Sequence, residues 1–197
     1  GAQDGNPIWR FQAHGAFLHS PTVADDLVVA GNTDGNLYAI DAKTGALRWA
    51  FQSGYGGFSV SPAFAEGTVF LGTRAGELLA IQLGSGKALW RHSLQAPIRQ
   101  TAAVSRGRVF VTTEDLRVHC FDVASGQEVW RTGQLSGQTA RDYYPIVVEA
   151  AGRTFVVVRT NPILSMGNQI GRDRHLLCQS AGVDDSGWQK LDAWIKS

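Results

Sequence analysis

The side chains of this sequence that are equipped for chemistry do not converge. Histidines stand at positions 14, 19, 92, 119 and 175. His14 and His19 are the nearest pair. A five-residue spacing on a loop, with no third ligand beside it, falls short of a metal pattern. Cys120 and Cys178 are too few for a disulfide framework and too far apart for a zinc site. One buried free thiol and one loop thiol is the simpler reading of them. Asn32-Thr33-Asp34-Gly35-Asn36 has the opening of a calcium loop, but it lacks the remaining ligands and the closing glutamate and falls where a hairpin turn is expected. Gly54-Tyr55-Gly56-Gly57 is glycine-rich without the phosphate-binding pattern, and no helix is expected behind it. No serine occupies a nucleophile elbow. Asp184-Asp185 and Arg172-Asp173-Arg174 read as solvated charge. Catalytic residues and metal ligands are therefore assigned to none of these positions, and a binding role is expected rather than an enzymatic one.

Bulk properties narrow the partners. A formal charge of +1 with no basic patch argues against nucleic acid. No uninterrupted apolar run approaches the roughly 18 residues needed to cross a bilayer. No charged n-region precedes an apolar h-region, so a signal peptide is expected to be absent or already removed. The 23 glycines and 6 tryptophans, with only 18% charged residues, suit many short strands joined by tight turns.

The elements that would carry a site repeat every forty or so residues. Trp9, Trp49, Trp90 and Trp130 are spaced by 40, 41 and 40 residues. Before the second comes Asp34-Gly35-Asn36-Leu37-Tyr38-Ala39-Ile40-Asp41, then Thr44-Gly45-Ala46-Leu47-Arg48-Trp49. Before the third comes Ala75-Gly76-Glu77-Leu78-Leu79-Ala80-Ile81-Gln82, then Ser85-Gly86-Lys87-Ala88-Leu89-Trp90. The last copy is Leu116-Arg117-Val118-His119-Cys120-Phe121-Asp122, then Ser125-Gly126-Gln127-Glu128-Val129-Trp130.

Each copy predicts an apolar strand, a polar turn in which Gly45, Gly86 or Gly126 takes positive φ, and a return strand ending in tryptophan. Asp41 and Asp122 are placed to bond the amides of their own turn. Gln82 in the same slot favours a structural role over a catalytic one. Two more strands fill the period, near Thr22-Val23 and Leu27 to Ala30, Ala63-Phe64 and Val69 to Leu71, and Ala103-Val104 and Val109 to Val111. Four short strands per forty residues make a propeller blade, and the recurring tryptophan suits the contact between blades.

The ends depart from the period. Trp9-Arg10-Phe11-Gln12 resembles Trp49-Ala50-Phe51-Gln52, so residues 8–12 read as a lone final strand with no blade before it. A partial fourth blade is expected over 143–160, from Tyr144-Pro145-Ile146-Val147-Val148 and Thr154-Phe155-Val156-Val157-Val158. Residues 161–187 read as a loop or insertion. Trp188, Leu191, Trp194 and Ile195 share one helical face behind Ser186 as a possible N-cap, predicting a helix over 187–196.

The copies ending at Trp49, Trp90 and Trp130 resemble the pyrroloquinoline-quinone-like repeat family of β-propellers, a family that includes outer-membrane assembly lipoproteins and quinoproteins. The resemblance covers about residues 8–160. It implies an all-β propeller of four-stranded antiparallel blades, with repeats near 20–52, 60–93 and 101–132 and a partial blade at 143–160, about half of a seven- or eight-bladed ring. Residues 161–197 are then an irregular insertion with the possible helix.

The resemblance further implies a periplasmic or extracellular location and a non-enzymatic scaffold that binds a protein or small ligand. Its alternatives are a fragment of a quinone-dependent dehydrogenase or the sensor domain of a membrane-anchored kinase or receptor. The family's dehydrogenases hold their cofactor beside adjacent cysteines, with calcium bound by acidic and amide side chains. This chain has no Cys-Cys pair, so pyrroloquinoline quinone and calcium are expected only if further blades supply the site. Residues at one mouth of the channel, Tyr55 and Phe58 with His14 and His19, are the candidate ligand contacts. An open run of blades leaves faces and strand edges bare, so further blades or a second copy are expected to complete the ring.

Overall fold

The computed structural model describes residues 3–54, 57, 58, 60–134, 145–150, 153–159 and 176–180. These residues form only strands and connections, in two compact units divided between Thr101 and Ala102.

The first unit holds two sheets of the same design. One is β1 (Thr22–Ala24), β2 (Leu27–Gly31), β3 (Asn36–Asp41) and β4 (Leu47–Gln52), in sequential antiparallel order. The other repeats it with β5 (Ala63–Ala65), β6 (Thr68–Gly72), β7 (Glu77–Gln82) and β8 (Ala88–Ser93). Leu37 to Ile40 and Leu78 to Ile81 are buried without a break, because both faces of these inner strands are covered. The outer strands β4 and β8 alternate half-buried and exposed positions, as strands covered on one face do. Between the sheets lies a core of Val29, Leu37, Val69, Leu71 and Leu79, with Trp49 and Phe51 packed on its edge.

The second unit contains β9 (Ala103–Ser105), β10 (Arg108–Thr113), β11 (Arg117–Asp122) and β12 (Glu128–Arg131) in the same order. Beside it is a sheet of β13 (Pro145–Ala150), β14 (Arg153–Arg159) and β15 (Leu176–Ser180). Phe110, Val118, Cys120 and Val156 form the core of this unit.

Three features differ from the sequence expectation. Residues 8–12 are not a paired strand: among the described residues no ladder joins them, although Trp9 takes the position expected of a final strand. Leu176–Ser180, inside the span read as a loop or insertion, is a strand paired antiparallel with β14 over five residue pairs. Its five residues mix apolar and polar types with no recurrence of the repeat pattern, and the pairing with β14 reveals them. The third feature is a register shift in the last two strands of all three complete sheets, between Ala39 and Ile40, Ala80 and Ile81, and Cys120 and Phe121. The skipped residues Arg48, Leu89 and Val129 stand directly before each tryptophan. This bulge turns one side chain outward and re-aims the next. It explains why Leu89 and Val129, at 50% and 46% exposure, are apolar yet open to solvent. The helix expected over 187–196 lies outside the described residues.

Candidate interaction site

The sequential strand order gives each sheet two ends. At one end is the turn between the third and fourth strands. Asp41 Oδ1 accepts hydrogen bonds from the Lys43 N–H at 3.1 Å and from the Thr44 N–H and hydroxyl, both at 2.9 Å. Asp122 Oδ1 accepts from the Ser125 N–H and hydroxyl at 2.9 Å each. These bonds stabilise the charged form. The Thr44 amide and then its hydroxyl hold the Asp41 carboxyl below the usual range. For Asp122 the Ser125 amide and hydroxyl do the same, with Arg108 adding its charge. Gln82 fills the slot in the second sheet, its Oε1 accepting from Ser85 Oγ at 2.6 Å. An amide and a carboxylate serve the same turn, so the position acts on the backbone.

The same turn seats an indole. Trp9 Nε1 donates to the Ala42 carbonyl at 2.8 Å, and Trp49 Nε1 donates to the Leu83 carbonyl at 2.7 Å. Beneath each ring lies the turn glycine, Gly45 or Gly86, with φ +73° and +70°; a Cβ there would stand 2.7 Å from the indole. The tryptophan at the end of one repeat thus reads the turn of the next. Trp90 packs on Phe70 and His92 with ring centroids 5.8 and 5.6 Å apart, and Trp130 on Phe110 at 6.0 Å. Gly126 also takes positive φ, +71°. An open cleft of about 870 Å³ adjoins the Trp49 seat, lined by Asp25, Asp26, Arg48 and Gln82 among others. It mixes charges of both signs and has no buried polar group directed into it.

The opposite end is formed by the turn between the second and third strands and by the linker that enters each sheet. The linker carrying His14 and His19 is tied to this turn in the first sheet, with the Thr33 N–H donating to the Ala16 carbonyl and the Ala16 N–H to Thr33 Oγ1, both at 3.0 Å. His14 and His19 are exposed, and between them Phe17 and Leu18 are 38% and 66% exposed. Phe11 and Phe17 flank Tyr38 with centroids 5.4 and 5.9 Å away. Burial, and then the Asp34 carboxylate, push the Tyr38 phenol up, while the Asn32 and Asn36 side chains oppose the rise. Asn32 itself is fully buried; its Oδ1 accepts from the Asp34 N–H at 3.0 Å, and its Nδ2 has no hydrogen-bond partner of normal length.

Asp34 Oδ1 accepts from the Asn36 N–H at 2.9 Å, so the segment that resembles a calcium loop uses its carboxylate to close a turn.

Of the four channel-mouth residues expected from sequence, the structure keeps His14 and His19 at the surface and removes Phe58. Phe58 is 2% exposed, bridges to Thr73 and packs into the core of the first unit, against Gly31. Phe58 follows a glycine-rich linker, and its ring fills the space that Gly31 leaves empty. Tyr55 lies outside the described residues. Phe17 and Leu18 were missed; two adjacent apolar residues between two histidines in a linker were the available signal.

Sequence reasoning also missed a buried polar chain in the second unit. His119, 3% exposed, has Nδ1 2.9 Å from Glu128 Oε1 and Nε2 3.4 Å from Thr113 Oγ1. Acid, imidazole and hydroxyl stand in the order used to activate a nucleophile. Thr113 is 1% exposed, however, and its hydroxyl donates to Asp115, so that hydroxyl is not open to solvent. Of the two thiols Cys120 is buried, whereas Cys178 lies in β15 and not in a loop; burial pushes the Cys120 thiol up to about 12, leaving it inert as a nucleophile at neutral pH.

Four-stranded antiparallel sheets in sequential order, linked by an indole seated on the next turn, define a β-propeller built from pyrroloquinoline-quinone-like repeats. The chain belongs to the family described as outer membrane protein assembly factor BamB, whose model matches residues 1–103 and 85–177. The outer membrane protein assembly factor BamB of Shewanella oneidensis is 44% identical over 50 residues, 25% of this chain and 13% of that protein. The solved structure of BamB from Moraxella catarrhalis superposes with a TM-score of 0.62 at 21% identity, over 77% of this chain and 51% of the relative. A europium-containing methanol dehydrogenase superposes with a TM-score of 0.54 at 21% identity, over 62% of this chain and 26% of the enzyme. The chain thus spans about half the length of the solved BamB. The likeness to both a BamB and a dehydrogenase is one of fold, which by itself assigns no activity.

Proposed function

We propose that this chain is part of a non-enzymatic propeller scaffold, outside the cytoplasm, that binds protein during outer-membrane assembly. Membership of a family described by an outer membrane protein assembly factor supports the role and a periplasmic location. The observation that carries the binding reading is the linker end of the first sheet, where Phe17 and Leu18 are exposed beside His14 and His19 on a backbone pinned by two hydrogen bonds. Exposed apolar side chains held on a rigid turn gain more on contact than mobile ones, because less entropy is lost. Pyrroloquinoline quinone and calcium have no role in this reading. Further blades of a longer chain, or a second copy, complete the ring.

A photo-crosslinking residue at Leu18 tests the site in cells. Adducts with envelope proteins are expected from position 18 and not from Lys87, which is exposed on the opposite turn. The absence of adducts from position 18, or equal yields from both, would remove the site. Dye reduction by the purified protein after addition of pyrroloquinoline quinone and calcium would instead favour a dehydrogenase fragment. Recovery of the protein from the cytoplasmic fraction alone would refute the location.

A further inference from the structure

The open cleft of about 870 Å³ beside the Trp49 seat is shared by the two sheets of the first unit. Its volume falls in the range of roughly 300–1,000 Å³ over which small ligands are held. Asp25 and Asp26, in the turn between β1 and β2, line it together with Leu47, Arg48 and Trp49 of β4. The turns of the next sheet, at Gly67 and at Gln82 to Gly84, complete the lining.

Part of this lining belongs to the repeat and part does not. Trp49 is fixed by its bond to the Leu83 carbonyl and by Gly86 beneath the ring, and every copy has a tryptophan in that slot. The acidic turn has no such duty. Asp25-Asp26 is matched by Glu66-Gly67 and Arg106-Gly107 in the other complete sheets. Asp25, Glu66 and Arg106 take the same left-handed backbone, φ 51°, 51° and 47°, so the turn accepts either sign of charge. Among the described residues neither Asp25 nor Asp26 has an ion pair or a side-chain hydrogen bond. Arg48, the cation lining the cleft, bears on Asp41 of its own sheet. Leu47 is 50% exposed where the second and third sheets have Ala88 and Glu128. Neither the acids nor the leucine is needed to build a blade.

We infer that the cleft takes an extended peptide segment of a partner protein. An arginine or lysine of that segment lies against Asp25, Asp26 and the Trp49 indole, and its apolar neighbour covers Leu47. Charge complementarity selects the cation: two carboxylates without partners attract it, and indole is the best aromatic surface for it. Trp49 is already held at Nε1 and beneath its ring, so little freedom is lost on binding. An amine without an apolar neighbour would leave Leu47 uncovered. The site lies at the opposite end of the first sheet from Phe17 and Leu18 and does not depend on them.

The test ligand is a capped Leu-Arg-Leu-Arg-Leu peptide, titrated into the full chain by calorimetry. Versions with lysine or with neutral citrulline in place of arginine separate charge from shape. The two cationic peptides should bind, more weakly as salt is raised, and the citrulline peptide at least about fivefold more weakly. Asp25→Arg with Asp26→Gly gives the first sheet the turn of the third. It should weaken binding of the arginine peptide about tenfold or more, because repulsion replaces attraction. Leu47→Ala installs the residue of the second sheet and should weaken binding about fivefold. Unchanged urea midpoints show that these variants are folded, and the citrulline comparison needs no variant. Leu18→Ala should leave the affinity as it was.

Equal binding of the citrulline peptide, or full affinity in the Asp25 and Asp26 variant, overturns the inference. No binding of any peptide at millimolar concentration overturns it as well. Binding lost only in Leu18→Ala also overturns it, but assigns the peptide to the linker end and leaves the scaffold reading intact.

Discussion

The two ends of each sheet solve different problems. At the turn between the third and fourth strands, Asp41, Gln82 and Asp122 all bond the Thr or Ser three residues on, and the glycine that follows is at positive φ each time. At the turn between the second and third strands the copies diverge: Asn32-Thr33-Asp34-Gly35, Thr73-Arg74-Ala75-Gly76 and Thr113-Glu114-Asp115-Leu116. The backbone there is alike, with Gly35, Gly76 and Leu116 at φ 87°, 85° and 64° and each N–H donating to the carbonyl three residues before. The side chains are not alike. An end that must seat the neighbouring indole tolerates little variation, whereas an end that faces linkers and solvent is free to differ. Chemistry specific to one blade is therefore to be sought at the second end.

Substitutions can break or sharpen that contrast. The largest effect should come from a methyl placed under an indole. Gly86 and Gly67 have nearly the same φ, +70° and +72°, but a Cβ on Gly86 would lie 2.7 Å from Trp49 while one on Gly67 meets nothing within 4 Å. Gly67→Ala should lose only the left-handed strain of about 1–2 kcal/mol. Gly86→Ala adds displacement of the ring and should lose about 3 kcal/mol or more, read from urea midpoints. Equal losses would show that the seat contributes nothing.

Trp49→Phe keeps an aromatic ring and removes the donor to the Leu83 carbonyl, a loss of about 1–2 kcal/mol expected in the same assay. An unchanged midpoint would reduce the indole to a space-filler.

At the variable end the sign should reverse. Asn32→Thr installs the residue found at the matching positions Thr73 and Thr113 and removes a buried amide donor without a normal-length partner. A gain of up to about 1 kcal/mol is expected; a loss would mean that the Oδ1 bond to Asp34 outweighs the orphaned nitrogen.

The smallest effect is electrostatic. Asp41 titrates below its ordinary value when folded, so its contribution is present above the usual carboxylate range and is lost as pH falls through the depressed value. Asp41→Asn should flatten the acid limb of a stability-against-pH curve and leave neutral stability little changed. An identical acid limb in both proteins would mean that the turn amides do not bias the carboxylate.

Much of this was legible beforehand, for a reason visible in particular residues. The spacing of Trp49, Trp90 and Trp130, with Gly45, Gly86 and Gly126 four residues before each, reports a local turn and return that recur whenever the same backbone is needed. The candidate site was far less legible. Phe58 and Tyr55 sit in the same linker, yet whether an aromatic residue points to solvent or to the interior depends on what lies opposite, and Gly31 sits opposite Phe58. Phe17 is exposed because Thr33 pins the loop beside it, a contact across 17 residues.

From the amino-acid order alone came the blade, its period, and the turn whose aspartate and glycine satisfy their own backbone, because those demands are met within about ten residues. Tertiary structure decided the rest: the bulge that aims each indole, the strand at Leu176–Ser180, and the burial of Phe58, His119 and Cys120. It also decided Leu116, which stands where the other copies have glycine. Left-handed backbone costs a side chain about 1–2 kcal/mol, and burying leucine in a core stabilises by about 1.5–3 kcal/mol. At 5% exposure Leu116 gains the second by accepting the first. Such a balance depends on neighbours distant in the chain, and no local pattern carries it.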